Sequence, residues 1–380
     1  KINPNNDEVG FAFVNGPLYF SMGGSVNGTH YSYRYWMGSY DFFTSVGFTY
    51  DALGYSYGVA AGGDINASEA DKFQFMTSRW GLAGLGQGGS YANTNSLRLE
   101  SIGMKIDGTN YYDKQRIKSP ALATTVNGTT TNIYLAYYDA MNDEIRFKAG
   151  STNSTPKFGS NNSSTNFGSF SDYDTTSAPY GYRYGKVSMI AGSETKRPAG
   201  EYISLGAIKG AGDKGSDVVV VVWYGSDRTL WYSYTTTSPM NRDGQINGEG
   251  WSTPVNVFSE DMANAGEYCK VVVDNDGGIH IAAYDPVNLD LCYAYAKTYT
   301  SDFSTCVVDS NGVTGSNLTL DVAKDSEGED GNWIPYIGYY ATSCIKPKYA
   351  YKVDTTSNAP NGSVNQLFTQ SWESMIVPTN

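Results

Sequence analysis

Two glutamates stand in the same three-residue setting, Gly200-Glu201-Tyr202 and Gly266-Glu267-Tyr268. A third, Glu373, follows Trp372 at what reads as the same point of a repeat. Carboxylates about 5 Å apart, or about 6.5–9.5 Å apart, perform retaining or inverting glycoside hydrolysis. Three glutamates at one repeat position would instead ring one mouth of a channel, a rim suited to a cation or a sugar. The plainer reading, preferred here, is that glutamate is the polar residue opening an inner strand. A second group is aromatic: Tyr35, Trp36, Tyr40, Trp80, Tyr180 and Tyr182, each placed on a loop with Asn, Ser and Gly around it. Such rings stack on the C–H faces of sugars, while polar neighbours bond the hydroxyls, and the mixture is that of adaptable recognition surfaces. These six residues, with Glu201 and Glu267, are the candidate ligand-binding set. No residue is assigned a catalytic role.

Other chemistries find little support. The two histidines, His30 and His280, are far apart in sequence, and Ile279-His280-Ile281 reads as packed strand rather than as a base. Cys269, Cys292, Cys306 and Cys344 fit no zinc spacing. Cys292 and Cys306 fall on neighbouring outer strands, either bonded as a disulfide or buried as thiols. No nucleophile elbow, P-loop or dinucleotide fingerprint occurs in its strand–helix context. Acidic turns such as Asp274-Asn275-Asp276-Gly277-Gly278 lack the alternating oxygen ligands of an EF-hand loop and read as hairpins. No metal and no cofactor is expected, a structural calcium in one of these turns being the alternative.

The elements that must position these residues are strands. The composition is rich in Tyr, Phe and Gly, with 32, 15 and 43 of each, and helical periodicity is absent, which favours an all-β class with tight turns. A unit of three readable strands recurs. Its second strand ends in a small-aromatic-aromatic-Asp pattern, as at Ala136-Tyr137-Tyr138-Asp139 and Ala283-Tyr284-Asp285. The third strand follows after a short polar turn, as at Leu291-Cys292-Tyr293 and Pro347-Lys348-Tyr349. The Asp position recurs at Asn15, Gly63, Asp139, Gly225, Asp285 and Ala341, making six units. Because Asp139 and Asp285 repeat, they are read as turn caps rather than as catalysts. Runs such as Val218–Trp223 and Cys269–Val273 have the near-continuous apolar character of inner strands buried on both faces.

The termini share one unit. Ser371–Pro378 reads as the opening of a repeat whose continuation is Val9–Ser21. The expectation is a closed six-bladed β-propeller, with seven blades as the fallback, in which the C-terminal strand completes the N-terminal blade. It forms one domain over residues 1–380, with insertions near 22–39, 79–115 and 150–199, each supplying an outer strand plus face loops. Adjacent ends would let it serve as one module of a longer chain.

The pattern over Ile279–Ala296, echoed at 133–149 and 333–351, resembles the repeats of secreted bacterial β-propellers of the broad sialidase-like type. That resemblance implies fold and leaves function open among glycosidases, lectins and scaffolds. Enzymatic members carry turns of the form S-x-D-x-G-x-x-W and an arginine trio. Here Asp330-Gly331-Asn332-Trp333 lacks the leading Ser-x-Asp, and the nine arginines do not cluster in sequence.

A net charge of −12 with no basic stripe disfavours nucleic acid as a partner. No apolar run reaches the roughly 18 residues of a membrane span. The chain opens at Lys1, which reads as a mature form with its export signal removed. An extracellular, cell-surface or periplasmic location is expected. The leading reading is a non-catalytic module binding a glycan or a cell-surface protein through face loops. A propeller-type glycoside hydrolase with an axial carboxylate pair is the alternative, and a structural scaffold the third.

Overall fold

The computed structural model describes residues 9–15, 19–26, 29–36, 41–54, 56–64, 71–77, 97–102, 117–140, 143–152, 188–192, 198–239, 249–259, 262–324, 333–342, 346–352 and 372–376. These residues build six antiparallel sheets, each a meander of strands consecutive in the chain. The first contains β1 (Val9–Asn15), β2 (Tyr19–Val26) and β3 (Thr29–Trp36). The second contains β4 (Asp41–Tyr50), β5 (Ser56–Asp64), β6 (Asp71–Thr77) and β7 (Leu97–Ile102). The third contains β8 (Ile117–Asn127), β9 (Thr130–Asp139), β10 (Glu144–Thr152) and β11 (Ser188–Ala191). The fourth runs through β12 (Gly200–Ile208), β13 (Val218–Gly225), β14 (Leu230–Tyr234) and β15 (Val255–Asn256). The fifth holds β16 (Glu267–Val273), β17 (Ile279–Asp285), β18 (Asp290–Ala296) and β19 (Ser304–Asp309). The sixth holds β20 (Thr314–Lys324), β21 (Trp333–Ala341), β22 (Lys346–Lys352) and β23 (Trp372–Ile376). Serial meanders of this kind are the construction of an all-β, propeller-type chain. Among the described residues no helix is long and apolar enough to cross a membrane.

The C-terminal strand does not join the N-terminal sheet. β23 pairs with β22, Tyr351 opposite Glu373 and Tyr349 opposite Met375, so the expected exchange of strands between the termini is corrected. Two forces hold it there. The backbone of β22 gains a ladder partner on its outer edge, and the Trp372 ring meets Tyr293 edge-on at 5.1 Å, against a core shared by sheets five and six. Glu373 therefore lies on an outer strand, away from the repeat position of Glu201 and Glu267.

Two compact units divide the chain: Lys1–Gly200 with Lys209–Val219 and Thr235–Trp251, and Glu201–Ile208 with Val220–Tyr234 and Ser252–Asn380. In the first, turn and linker aspartates are anchor points. Asp51 accepts from Tyr57 Oη at 2.9 Å and from Thr131 Oγ1 at 2.7 Å. Asp217 accepts from Tyr134 Oη at 2.6 Å, Asn132 Nδ2 at 2.9 Å and the hydroxyl of Thr125.

In the second unit, Ala282, Leu291 and Tyr293 of sheet five pack on Leu318, Leu320, Ile337, Tyr339 and Ala350 of sheet six. Burying each large side chain here contributes about 1.5–3 kcal/mol. The second strand of a sheet is the most enclosed, β13 and β17 being buried at every position. The first strand is more open than the sequence suggests: in β16 only Cys269 and Val271 are buried. A second strand has hydrogen-bonded neighbours on both edges, whereas a first strand keeps one edge without a strand of its own sheet.

Two polar side chains complete this core. His280 is fully buried, its Nε2 3.0 Å from Asp274 Oδ2 and its Nδ1 2.7 Å from Tyr293 Oη. Lys348 is buried against Asp309 and Tyr339. Asp285 caps its turn by accepting from the backbone amides of Val287 at 2.8 Å and Asn288 at 3.0 Å, the role its repetition suggested. Cys269, Cys292 and Cys306 are all thiols. Cys292 pairs with Val307 while Cys306 pairs with Tyr293. The two sulfurs therefore point to opposite faces of the sheet, because side chains alternate along a strand.

Candidate functional site

Glu201 and Glu267 open the first strands of sheets four and five, and each is followed by a tyrosine in the left-handed backbone region, Tyr202 at φ 54° and Tyr268 at φ 56°. Ser119 in β8 and Asn317 in β20 share that conformation at the equivalent point, each at φ 50°. Register shifts bracket Ser119, Tyr268 and Asn317, which marks the feature as a β-bulge that re-aims side chains at the strand start. A bulky residue held left-handed costs about 1–2 kcal/mol, so the surrounding structure must hold it in place. Part of that hold is Cys269, whose thiol donates to the Tyr202 carbonyl at 2.6 Å.

The ends of the second strands bring two more rings. Tyr224 of β13 and Tyr284 of β17 are both buried. Ring centroids run in series: Tyr224 to Tyr202 at 6.4 Å, Tyr202 to Tyr268 at 4.9 Å, Tyr268 to Tyr284 at 6.3 Å. The interplanar angles are 51°, 52° and 47°, so the four rings form a tilted series rather than a flat stack. A glycine makes the approach possible: a Cβ on Gly266 would collide with the Tyr224 ring.

Charge collects around these rings. Burial pushes the Glu267 carboxyl above its ordinary range, with Arg228 opposing. Burial, then Tyr268 and the charges of Glu267 and Glu201, push the Tyr202 phenol upward. Tyr224 is pushed up to about 12 by burial and by Glu267, Arg228 again opposing. Tyr284 is raised by burial and then by Glu267 and Asp285. Both glutamates of the candidate set thus act on one tyrosine. Tyr202 and Tyr268 are partly exposed, as are Glu201 and Glu267, while Arg228 is exposed at the tip of the β13–β14 turn. The arrangement offers ring faces for apolar C–H or cationic contact and carboxylates for accepting hydrogen bonds.

The remaining candidates fare differently. Tyr35 and Trp36 occupy the end of β3, opposite Phe20 and Tyr19, so their backbone belongs to a strand rather than to a loop. Tyr40, Trp80, Tyr180 and Tyr182 lie outside the described residues. Tyr202, Tyr224, Tyr268, Tyr284 and Arg228 were not singled out as ligands from sequence, although the doubled Gly-Glu-Tyr and the aromatic ends of the second strands were both legible. Among the described residues, no group of three or more His, Cys, Asp or Glu side chains is arranged to hold a metal ion.

No family model matches the chain, and no curated protein matches its sequence. Solved structures match it in shape at low identity. AofleA from Arthrobotrys oligospora aligns at 9% identity and TM-score 0.46, over 97% of this chain and 86% of its own. The leech intramolecular trans-sialidase, complexed with 2,7-anhydro-Neu5Ac, aligns at 11% identity and TM-score 0.45, over 89% of this chain and 61% of its own. The Aleuria aurantia lectin, a six-bladed β-propeller that recognises fucose, aligns at 8% identity and TM-score 0.43, over 98% of this chain and 95% of its own. Likeness at this level carries neither fold nor function to this chain.

Proposed function

We propose that the chain is an extracellular glycan-binding module that holds a sugar at the tyrosine–glutamate cluster without catalysis. The observation that carries this reading is the partly exposed Tyr202–Tyr268 pair, 4.9 Å between centroids, with Glu201 and Glu267 beside it. Tyrosine rings supply faces for sugar C–H groups, and carboxylates accept from hydroxyls. The doubling of Glu-Tyr on neighbouring sheets suits two equivalent subsites, whereas a catalytic group is needed once. Tyr35, Trp36, Tyr40, Trp80, Tyr180 and Tyr182 are proposed as further contacts. The six meanders are taken as the six blades of one propeller domain. A glycan array on the purified chain tests the reading, alongside the variants Tyr202→Asn and Tyr268→Asn. Asparagine tolerates the left-handed backbone and occupies it naturally at Asn317, so these variants remove the rings while keeping the bulge. Binding that survives both changes sinks the proposal.

One observation favours a glycoside hydrolase as the second reading: the raised carboxyl of Glu267 suits a general acid. Mass spectrometry of the bound glycans after incubation separates the two. Sugar release abolished by Glu267→Gln would replace binding with catalysis.

A further inference from the structure

Resting on the glycan reading, we infer that the tyrosine–glutamate cluster takes an organic ammonium group, and that the sugar it selects is an amino sugar with its amine free. The geometry carries this. Tyr224, Tyr202, Tyr268 and Tyr284 are each tilted by about half a right angle to the next, with centroid steps of 6.4, 4.9 and 6.3 Å. Tyr202 and Tyr268, the partly exposed pair, meet at 52° rather than stacking, so each turns part of a face away from the other, and the buried Tyr224 and Tyr284 back them. The contrast is on sheet six, where Tyr336, Tyr351 and Tyr349 stack nearly parallel, at 16° and 20°. A tyrosine face is the negative end of the ring quadrupole and attracts cations placed over it.

The charges agree with the rings. Glu201 and Glu267 both act on Tyr202, while Glu267, Asp285 and Asp227 all act on Tyr224. Among the described residues Arg228 opposes them, on an exposed turn in the left-handed region at φ 64°, and Lys270 acts on the neighbouring Cys269. The excess is negative, which disfavours sialic acid, uronic acids and sulfated sugars and favours a positively charged one. A free amine offers three donors for the two glutamates, and acetylation would remove both its charge and two of those donors.

The test uses the full chain at neutral pH with calorimetric titration. Probes are choline, glucosamine oligosaccharides, their N-acetylated counterparts and neutral glucose oligosaccharides of the same linkage. The free-amine oligosaccharide is expected to bind at least about tenfold more tightly than the other two sugars. Glu267→Gln should weaken choline binding by about tenfold, and Arg228→Gln, which removes a competing cation, should strengthen it. Far-ultraviolet circular dichroism and urea midpoints establish that each variant is folded. Neutral or acetylated sugars binding as well as the amine, with no binding of choline, would overturn the inference and leave the glycan reading intact. Choline binding with no sugar binding here or on the glycan array would support the ammonium site and overturn the glycan reading. Silence from all four probes would overturn the inference, and the glycan array decides the glycan reading separately.

Discussion

The Cys269 thiol, in the first strand of sheet five, donates to the backbone carbonyl of Tyr202, in the first strand of sheet four, at 2.6 Å. The contact ties the left-handed tyrosine of one sheet to the strand that carries its counterpart, Tyr268. Cys269 is wholly buried, and burial pushes its thiol up to about 12. Cys269→Ala should cost about 1–2 kcal/mol in urea denaturation, with Cys269→Ser retaining part of the loss because it keeps a donor. The native thiol should resist alkylation at neutral pH until the chain unfolds. Rapid labelling of the folded protein at Cys269 would contradict that account.

Glu267 predicts an opposition between stability and binding. Its carboxyl is raised in the folded state, so its contribution is full below the ordinary glutamate value of 4.5 and declines as pH rises through the folded value. At neutral pH the charged form is disfavoured by burial. Glu267→Gln should therefore raise the melting temperature at pH 7 relative to pH 4 while lowering ligand affinity. A variant less stable at both pH values would mean that Arg228 outweighs burial.

Asp217 and Asp309 have the opposite sign. Burial pushes both upward, but hydrogen bonds prevail and hold them below the ordinary value of 3.8: Thr125, Tyr134, Asn132 and the Gly210 amide for Asp217, Lys348, Tyr339 and the Asn311 amide for Asp309. Their stabilisation is present above that value and lost as pH falls through the lowered folded values. Melting curves from pH 6 to pH 2 should show this loss, reduced in Asp217→Asn and Asp309→Asn. Removing one partner of the buried Lys348–Asp309 pair should itself cost about 3–5 kcal/mol, read by Lys348→Met in urea.

Gly266 and Gly315 occupy matching positions, the first against the Tyr224 ring and the second against the Tyr284 ring. Gly266→Ala should destabilise the protein by about 1–3 kcal/mol, since the ring must move to admit a methyl group. Ligand affinity should fall with it, because Tyr224 backs the series of rings. An alanine variant as stable as the parent would place the ring elsewhere in solution.

Cys292 and Cys306 sit one residue out of register on neighbouring strands. Peptide mapping without reductant is expected to find no link between them, and reductant should leave the melting temperature unchanged. A 292–306 disulfide would require the β18–β19 register to slip by one residue, turning that strand's side chains to the other face.

What was legible in the sequence was local. The doubled Gly-Glu-Tyr, the strand ending at Ala283-Tyr284-Asp285 and the packed strand residue His280 all rest on alternation and turn chemistry within a few positions. Glu201 and Glu267 were recognised as equivalent for that reason. Their tyrosine surroundings were harder to read, because Tyr224 and Tyr284 look like any aromatic closing a second strand until the glycines of the next sheet admit them.

The sequence by itself determined that this is an all-β chain of repeated strand-and-turn units, with aspartates such as Asp285 capping turns. Side-chain alternation and the left-handed tolerance of Gly, Asn and Asp are properties of a short stretch of chain. Only the tertiary structure decided that β23 completes its own sheet and not the first, that Cys292 and Cys306 face apart, and that both glutamates act on Tyr202 within a series of four tilted rings. Those outcomes depend on register and on packing between sheets. They come from residues distant in sequence competing for the same edge or the same space, as when Trp372 meets Tyr293 and β22 accepts the C-terminal strand.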